Sequence, residues 1–466
     1  MKLAVTSGTE KIITLKNTGT SYTIDWGDGT VETNQSGYIS HTYNAGNSGT
    51  TANPIVSIGA IGDTGSFTAM QSSEGNANNP VLEVTQWGDI AWTTMYRMFR
   101  RNYNILITAT DSPDLTNCSS FQEMFSNALT TAICTNGSIN NWNVSYINNM
   151  SSTFIGANGM NADISNWDVS NVTDFNSMFA YASAFNVDIS GWNVSSGQYF
   201  QNMLAYTSSF TVDIGNWNVS SALNMSTMFF GAGTSTNTTQ NLSVKVVNSG
   251  QANQYLAWYT PLCQNFYRMF RQSYYANSTD FQNWNVSSVT NMKEMFYSTY
   301  ARRPDSAWLN TANMTPKSVT LGGVTFNAWN TSSVTTFDGM FSNSRFNLDV
   351  SGWDVSGAND LSDFVSASLV NYVFDWTALN SGLSTMNTIF GYSAMSTDNY
   401  TDSIVHFANL VYNNSAPYTV DMGNQANRFF DRARSGGANF ADAGLARDYL
   451  TGATANWSIT GDTEIN

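Results

Sequence analysis

The 466-residue chain has 11% charged and 14% aromatic residues, 57 asparagines, six lysines and a net charge of −15. So many aromatics exclude a disordered chain. The shortage of basic residues excludes wrapping of nucleic acid or docking on anionic lipid, and the lack of an apolar run of about 18 residues argues against membrane insertion.

The start, MKLAVTSGTEKIITLK, has three apolar residues after Lys2 before polar ones return, which is not a signal-peptide core. A chain that folds in the cytoplasm is expected. Tyr22-Thr-Ile-Asp-Trp26 alternates as a strand, Gly27-Asp28-Gly29 signals a tight turn, and His41-Thr-Tyr43 follows. YTIDWGDGT with HTY resembles the PKD domain, an immunoglobulin-like β-sandwich of extracellular proteins. The resemblance implies a small sandwich over residues 1–62 in which Asp25 and Asp28 brace the loops. PIVSIGAIG (54–62) comes later after HTY than in that family. Residues 63–86 read as a linker or lead-in.

From residue 87 to 430 the chain repeats. Trp142, Trp167, Trp192 and Trp217 lie 25 residues apart, and an apolar residue follows 12 positions after each of these and after Trp87, Trp258, Trp284, Trp329 and Trp353, from Trp87/Phe99 to Trp353/Val365. Phe125, Phe390 and Phe430 read as the same position in coils without the tryptophan or its spacing, which makes about twelve coils. Trp167-Asp-Val-Ser alternates as a short strand. Asn171-Val-Thr-Asp174 offers a helix cap, and Val172, Phe175, Met178, Phe179 and Ala182 recur at helical spacing. Neither element can bury its face alone, so the expected fold is a repeat solenoid of short strand plus short helix coils, LRR-like, preceded by the small β-sandwich.

Phe-to-next-Trp grows from 13 residues to 29 between Phe229 and Trp258, and to 33 between Phe296 and Trp329. The insertions fall in the return segment, on one edge, where either recognition or tolerated elaboration resides. WNVSxVTxMxxMFxxAxxFNxDIS resembles the BspA-like surface-protein repeats, a divergent branch of the leucine-rich repeats, and this implies adhesion and display. Residues 431–466, with ANFADAGLARDYL as an amphipathic helix and Trp457-Ser-Ile-Thr as a strand, read as a cap.

Chemistry-bearing residues are few. Neither His41 nor His406 lies in a catalytic motif, and CxxC, HExxH, P-loop and GxSxG patterns are missing. No enzyme is expected and no cofactor is called for. A glycosidase needs only two carboxylates at a set distance and stays open as a third reading. Asp163, Asp188, Asp213, Asp280 and Asp349 each precede a repeat tryptophan by four residues. Stacked, such acids call for calcium or for local Asx-turns; Asp25 and Asp28 are further calcium candidates. The pair of YRMFR motifs, at Tyr96–Arg100 and Tyr267–Arg271, reads as an anionic grip or as a solvated helix face. In the insertions Tyr255, Tyr259, Tyr297, Tyr300, Arg302, Arg303 and Trp308 are candidates for ligand stacking, with core filling as the alternative. Sequons at Asn143, Asn193, Asn218 and Asn285 read as ladder residues. Three cysteines suit buried thiols, or a Cys118–Cys134 bridge.

An adhesion-type repeat without an export signal suggests a bacteriophage virion surface protein: a fibre, tail-associated or capsid-decoration adhesin. Its N-terminal domain would bind other virion proteins, and its solenoid a host surface glycan or protein. An oligomeric assembly suits that role, because copy number amplifies weak contacts. The alternative is a secreted bacterial cell-surface adhesin, extracellular in location.

Overall fold

The computed structural model describes residues 2–5, 11–16, 22–36, 38–43 and 55–58, and then 81–465 apart from 103–104, 129–137, 234–240, 275–277, 300–313, 346, 348, 377, 381–382, 384, 415–419, 426–428, 437–438, 453–454, 456 and 461. The chain divides into two units, Met1–Val212 and Asp213–Asn466.

In the first unit the alternating N-terminal segments form β1 (Lys2–Val5), β2 (Lys11–Lys16), β3 (Tyr22–Asp25), β4 (Val31–Gln35), β5 (Tyr38–Tyr43) and β6 (Ile55–Ile58). β7 (Val81–Gln86) and β8 (Leu106–Ile107) follow. They build a six-stranded sheet ordered β4-β3-β6-β1-β7-β8 and a two-stranded sheet β2-β5. β1 lies antiparallel between β6 and β7, with Leu3 opposite both Val56 and Val84, whereas β7 and β8 run parallel. The sheet therefore extends past residue 62. Val81–Gln86, read as the end of a linker, is a strand because its alternating residues complete the free edge of β1.

Beyond β7 successive repeats bridge in parallel, Ser120 to Asn149 to Asp174 to Tyr199. The segment expected to be a short helix is not one. In Phe175–Ala182 alternate N–H groups, those of Phe175, Ser177, Phe179 and Tyr181, donate to the carbonyls of Tyr199, Gln201, Met203 and Ala205 in the next coil at 2.7–3.0 Å. The N–H groups between them, of Met178, Ala180 and Ala182, donate back three residues. The result is a run of linked turns with Ser177 and Tyr181 left-handed, at φ 56° and 62°. A left-handed residue costs roughly 1–2 kcal/mol, whereas each ladder bond contributes about 0.5–1.5 kcal/mol. Four ladder bonds per coil offset two such residues. A helix would spend its N–H groups internally and leave the coils joined by side chains alone. Its apolar spacing of three and four is shared by the linked turns, so periodicity does not separate the two.

Aromatic columns fill the coils. Phe99, Phe125, Phe154 and Phe179 stack with centroids 5.4, 5.4 and 5.7 Å apart, so Phe125 does hold the repeat position. The Trp167 and Trp192 indole N–H groups donate to the carbonyls of Ile139 and Ile164 in the preceding coil, at 2.7 and 3.2 Å. The position takes tryptophan because it supplies a large apolar body and a donor at the buried edge.

The second unit repeats this construction. Bridges step from Asn224 to Asn265, Asn291, Thr336 and Asp360, and Phe229, Phe270, Phe296 and Phe341 stack at 5.3–5.6 Å. Trp258, Trp284, Trp329 and Trp353 donate to the carbonyls of Ile214, Leu242, Phe281 and Met314. The insertions carry β9 (Lys245–Val247) with β10 (Tyr255–Ala257), and β11 (Lys317–Leu321) with β12 (Val324–Ala328), each an antiparallel pair. β13 (Asp354–Val355) and β14 (Ala378–Leu379) run parallel.

α1 (Thr397–Asn414), β15 (Asp421–Asn424), β16 (Phe429–Asp431), α2 (Ala443–Thr451), β17 (Ser458–Thr460) and β18 (Thr463–Ile465) close the chain. Asp442 caps α2 by accepting the Leu445 N–H at 2.8 Å. β15 pairs with β17 and β16 with β18, both in parallel. Phe430 is not a ladder residue: the Thr385–Asp421 bridge puts the position after Phe390 ahead of it, and Phe430 lies on β16. The Phe390 N–H donates instead to Gln425 Oε1 at 3.1 Å. Arg432 pairs with Asp448 and Glu464, Arg434 with Asp398 and Asp402, and Arg447 with Asp462 and Glu464, so this end is tied by charge as well as packing.

Candidate functional site

The acids before the tryptophans are spoken for locally. Asp163 accepts the Ser165 N–H at 2.9 Å and an Asn140 side-chain N–H at 2.9 Å. Asp188 takes the Ser190 N–H and hydroxyl at 3.0 and 2.7 Å, and these bonds hold its carboxyl below the usual Asp value despite slight burial. Asp213 accepts from Gly215 and Asn241, and Asp349 from Ser351. Each is an Asx-turn, the local alternative to calcium. Among the described residues no three His, Cys, Asp or Glu side chains converge on a common point. Asp280 differs: it accepts the Leu242 N–H at 3.1 Å, and burial, with the nearby Asp213 charge, pushes its carboxyl up to about 6.

The same turn recurs at two other places in the coil. Asn143, Asp168, Asn193, Asn218, Asn285, Asn330 and Asp354, each after a tryptophan, accept the N–H of the serine two residues on. The bridge residues Asn149, Asp174, Asn224, Asn265 and Asn291 also accept the N–H two residues on, from Ser151, Asn176, Ser226, Tyr267 and Lys293. These turns employ many of the asparagines, and the four sequon asparagines, read from the sequence as ladder residues, serve as local turn acceptors.

In the N-terminal unit Asp25 accepts the Gly27 N–H and Asp28 the Thr30 N–H, at 2.9 and 3.1 Å. Asp28 Oδ2 also meets His41 Nε2 at 2.8 Å, and the His41 ring stacks on Trp26 at 4.6 Å. Burial works against the Asp28 carboxylate, but the bonds from His41 and Thr30 outweigh it and hold it below the usual range. His406 lies on α1 with Nε2 on the Trp376 carbonyl at 2.8 Å.

In both YRMFR motifs the two arginines share one glutamate of the next coil. Arg97 grips Glu123 with Nε and Nη2 at 3.1 and 3.0 Å, and Arg100 reaches the same carboxylate at 3.1 Å. Arg268 and Arg271 hold Glu294 in the same way. Cys118 and Cys263 are buried free thiols, pushed up to about 11 and about 12 by burial; Cys134 lies outside the described residues.

The insertions meet each other. Gln254, beside β10, accepts the Gly250 N–H at 2.8 Å and donates from Nε2 to the Gly322 carbonyl in the β11–β12 turn at 3.0 Å. Tyr259 packs on Phe326 of β12 with centroids 5.0 Å apart. The turn is Gly322-Gly323, both left-handed at φ 56° and 84°, and Val246 and Leu256 pack close beneath it. Of the ligand candidates, the Tyr255 hydroxyl donates to the Asn216 carbonyl at 2.7 Å, and Tyr297 lies 4.4 Å under the Arg271 guanidinium. Tyr255 and Tyr259 brace the insertions, whereas Tyr297 packs against the repeat coils. Tyr300, Arg302, Arg303 and Trp308 lie outside the described residues. The hairpin β11–β12 went unread in the sequence, although Gly-Gly between alternating Val and Thr residues is its signal.

The family described as Mycoplasma protein of unknown function, DUF285, matches residues 119–245, 235–327 and 323–403, more than half of the chain. The chain belongs to this family. Three successive matches agree with a BspA-like surface repeat, and the DUF285 segments take in the coils and both insertions. No curated protein and no solved structure matches the chain.

Proposed function

We propose that this DUF285 protein is a non-enzymatic attachment scaffold displayed at a surface. The observation that carries this reading is the meeting of two insertions, far apart in sequence, on a framework whose repeated Asp and Asn side chains are engaged in local turns. Repeats so self-contained make a solenoid within each unit and leave recognition to what interrupts them. The N-terminal strands, as a PKD-like sandwich, would supply the anchor.

The first carrier is a bacteriophage virion, as a fibre, tail-associated or capsid-decoration protein that meets a host glycan or protein. The second is a bacterial cell envelope, which the family's description as a mycoplasma protein favours. Immunogold labelling of particles and cells with antibody to the purified protein separates them. Gold on virions supports the first; gold confined to envelopes of uninfected cells overturns it and leaves the second. The purified chain should also compete with its carrier for host adsorption, and undiminished adsorption at saturating protein would sink the attachment role.

A further inference from the structure

Tyr181 and Tyr206 occupy the same position in consecutive coils of the first unit, with rings stacked 4.7 Å apart and 14° from parallel. Tyr181 is 53% exposed, and both residues are held left-handed, at φ 62° and 58°. Bulky side chains rarely adopt that backbone, yet here it projects them from the coil edge.

The coil on the other side of Tyr181 presents Gly156, whose N–H donates to the Ala180 carbonyl just as the Tyr181 N–H donates to Ala205. One face of the Tyr181 ring is therefore covered by Tyr206, and the other looks along the stack over a residue without a side chain. One coil further, Asn127 leans across, and its Oδ1 fills the place a Cβ on Gly156 would take. Asn127 Nδ2 donates to Ser126 Oγ at 3.2 Å, so the amide is oriented with its oxygen toward the space beneath the ring. The place that a third ring of the stack would take, about one coil spacing or 4.8 Å from Tyr181, is thus empty of a side chain at Gly156 and has Asn127 Oδ1 at its base, beside two exposed side chains.

We propose that Tyr181, Gly156 and Asn127 form a binding site for an uncharged pyranose ring. The electron-rich ring face attracts the polarised C–H face of a sugar, and Asn127 Oδ1 accepts one hydroxyl. Ser152, Ser177 and Asn202 along this edge are polar and uncharged, and Glu123 in the coil of Asn127 is held by Arg97 and Arg100. The site names a ligand class for the attachment reading and rests on that reading for its biological use. Sugar binding by the purified chain stands independently of the carrier.

Saturation-transfer NMR on the full chain, with neutral tetrasaccharides of glucose, galactose or mannose, tests it. At least one should receive saturation on its pyranose C–H protons. Tyr181→Ala should weaken that binding about tenfold, Tyr181→Phe should retain it, and Asn127→Ala should weaken it. Should Tyr181→Ala fail to fold, Tyr181→Asn, which suits the left-handed backbone, takes its place. Absence of transfer at millimolar sugar, or unchanged binding without the ring, overturns the site. A preference for acidic sugars that disappears in Arg101→Gln overturns the uncharged class. Immunogold that finds the protein on neither particles nor envelopes would sink the attachment reading while leaving a positive NMR result intact.

Discussion

Asp280 shows how a repeat position acquires a cost when its surroundings change. Its counterparts Asp188 and Asp349 answer to a neighbouring serine, whereas Asp280 is buried near Asp213 and accepts the Leu242 N–H. Its folded-state pKa, about 6, lies above the ordinary Asp value of 3.8, so between those values the folded state binds more protons than the unfolded one. Stability contributed by the neutral form is thus full below about pH 4 and lost as pH rises through 6. Asp280→Asn keeps an acceptor for Leu242 and removes the charge. It should stabilise the second unit by about 2–3 kcal/mol at pH 7 and by almost nothing at pH 4, read from urea unfolding at both values. An equal effect at both would assign the gain to packing. Trp192→Phe makes the complementary case: the ring stays, but the Ile164 carbonyl loses its donor. A loss of about 1–3 kcal/mol is expected in the same assay, and a neutral result would mean that water replaces the indole.

Among the elements, the β11–β12 hairpin is the most sensitive to one residue. Gly323 sits at φ 84°, a conformation that a β-branched residue strongly disfavours, and its turn carries the carbonyl that Gln254 bonds. Gly323→Val should speed hydrogen exchange across Lys317–Ala328 at least tenfold while the Phe229–Phe341 coils keep their protection. Exchange unchanged in the hairpin would show that its contacts to the first insertion, not its turn, hold it. This element was legible in the sequence, as were the column of Phe99, Phe125, Phe154 and Phe179, helix α2 and the strand after Trp457. The linked turns were not. Helix and turn run bury the same residues, and the left-handed positions hold Gly at 156, 231 and 339 but Ser, Tyr, Asn, Thr, Arg, Glu and others elsewhere, so glycine does not mark them as a set. The Tyr181–Tyr206 stack was hidden for the same reason, because a tyrosine 25 residues from another reads as core until the backbone turns it outward. Phe430 misled because apolar character alone suggested its position, whereas the chain had already left the repeat for α1.

At the scale of the molecule, a chain of self-satisfied coils makes an additive prediction. Among the described residues of the first unit the backbone hydrogen bonds between coils join adjacent coils, so one whole repeat is removable if both new neighbours present the same face. Deleting residues 167–191 joins Asn166 to Trp192 and recreates the Asn-Trp junction. The left-handed positions, the Asx-turns and the phenylalanine column then stay in register, because Phe154 meets Leu204 where it met Phe179. The variant should fold cooperatively and lose only the stability of one coil and one interface, read by circular dichroism and urea unfolding. Deleting residues 167–178 removes about half as much chain but sets a turn segment against a strand segment. Its apolar stripe faces solvent and its ladder has no partners, so it should fail to unfold cooperatively. If the longer deletion proves the more damaging, nearest-neighbour additivity is wrong for this family. The coils would then depend on contacts that reach past the adjacent repeat.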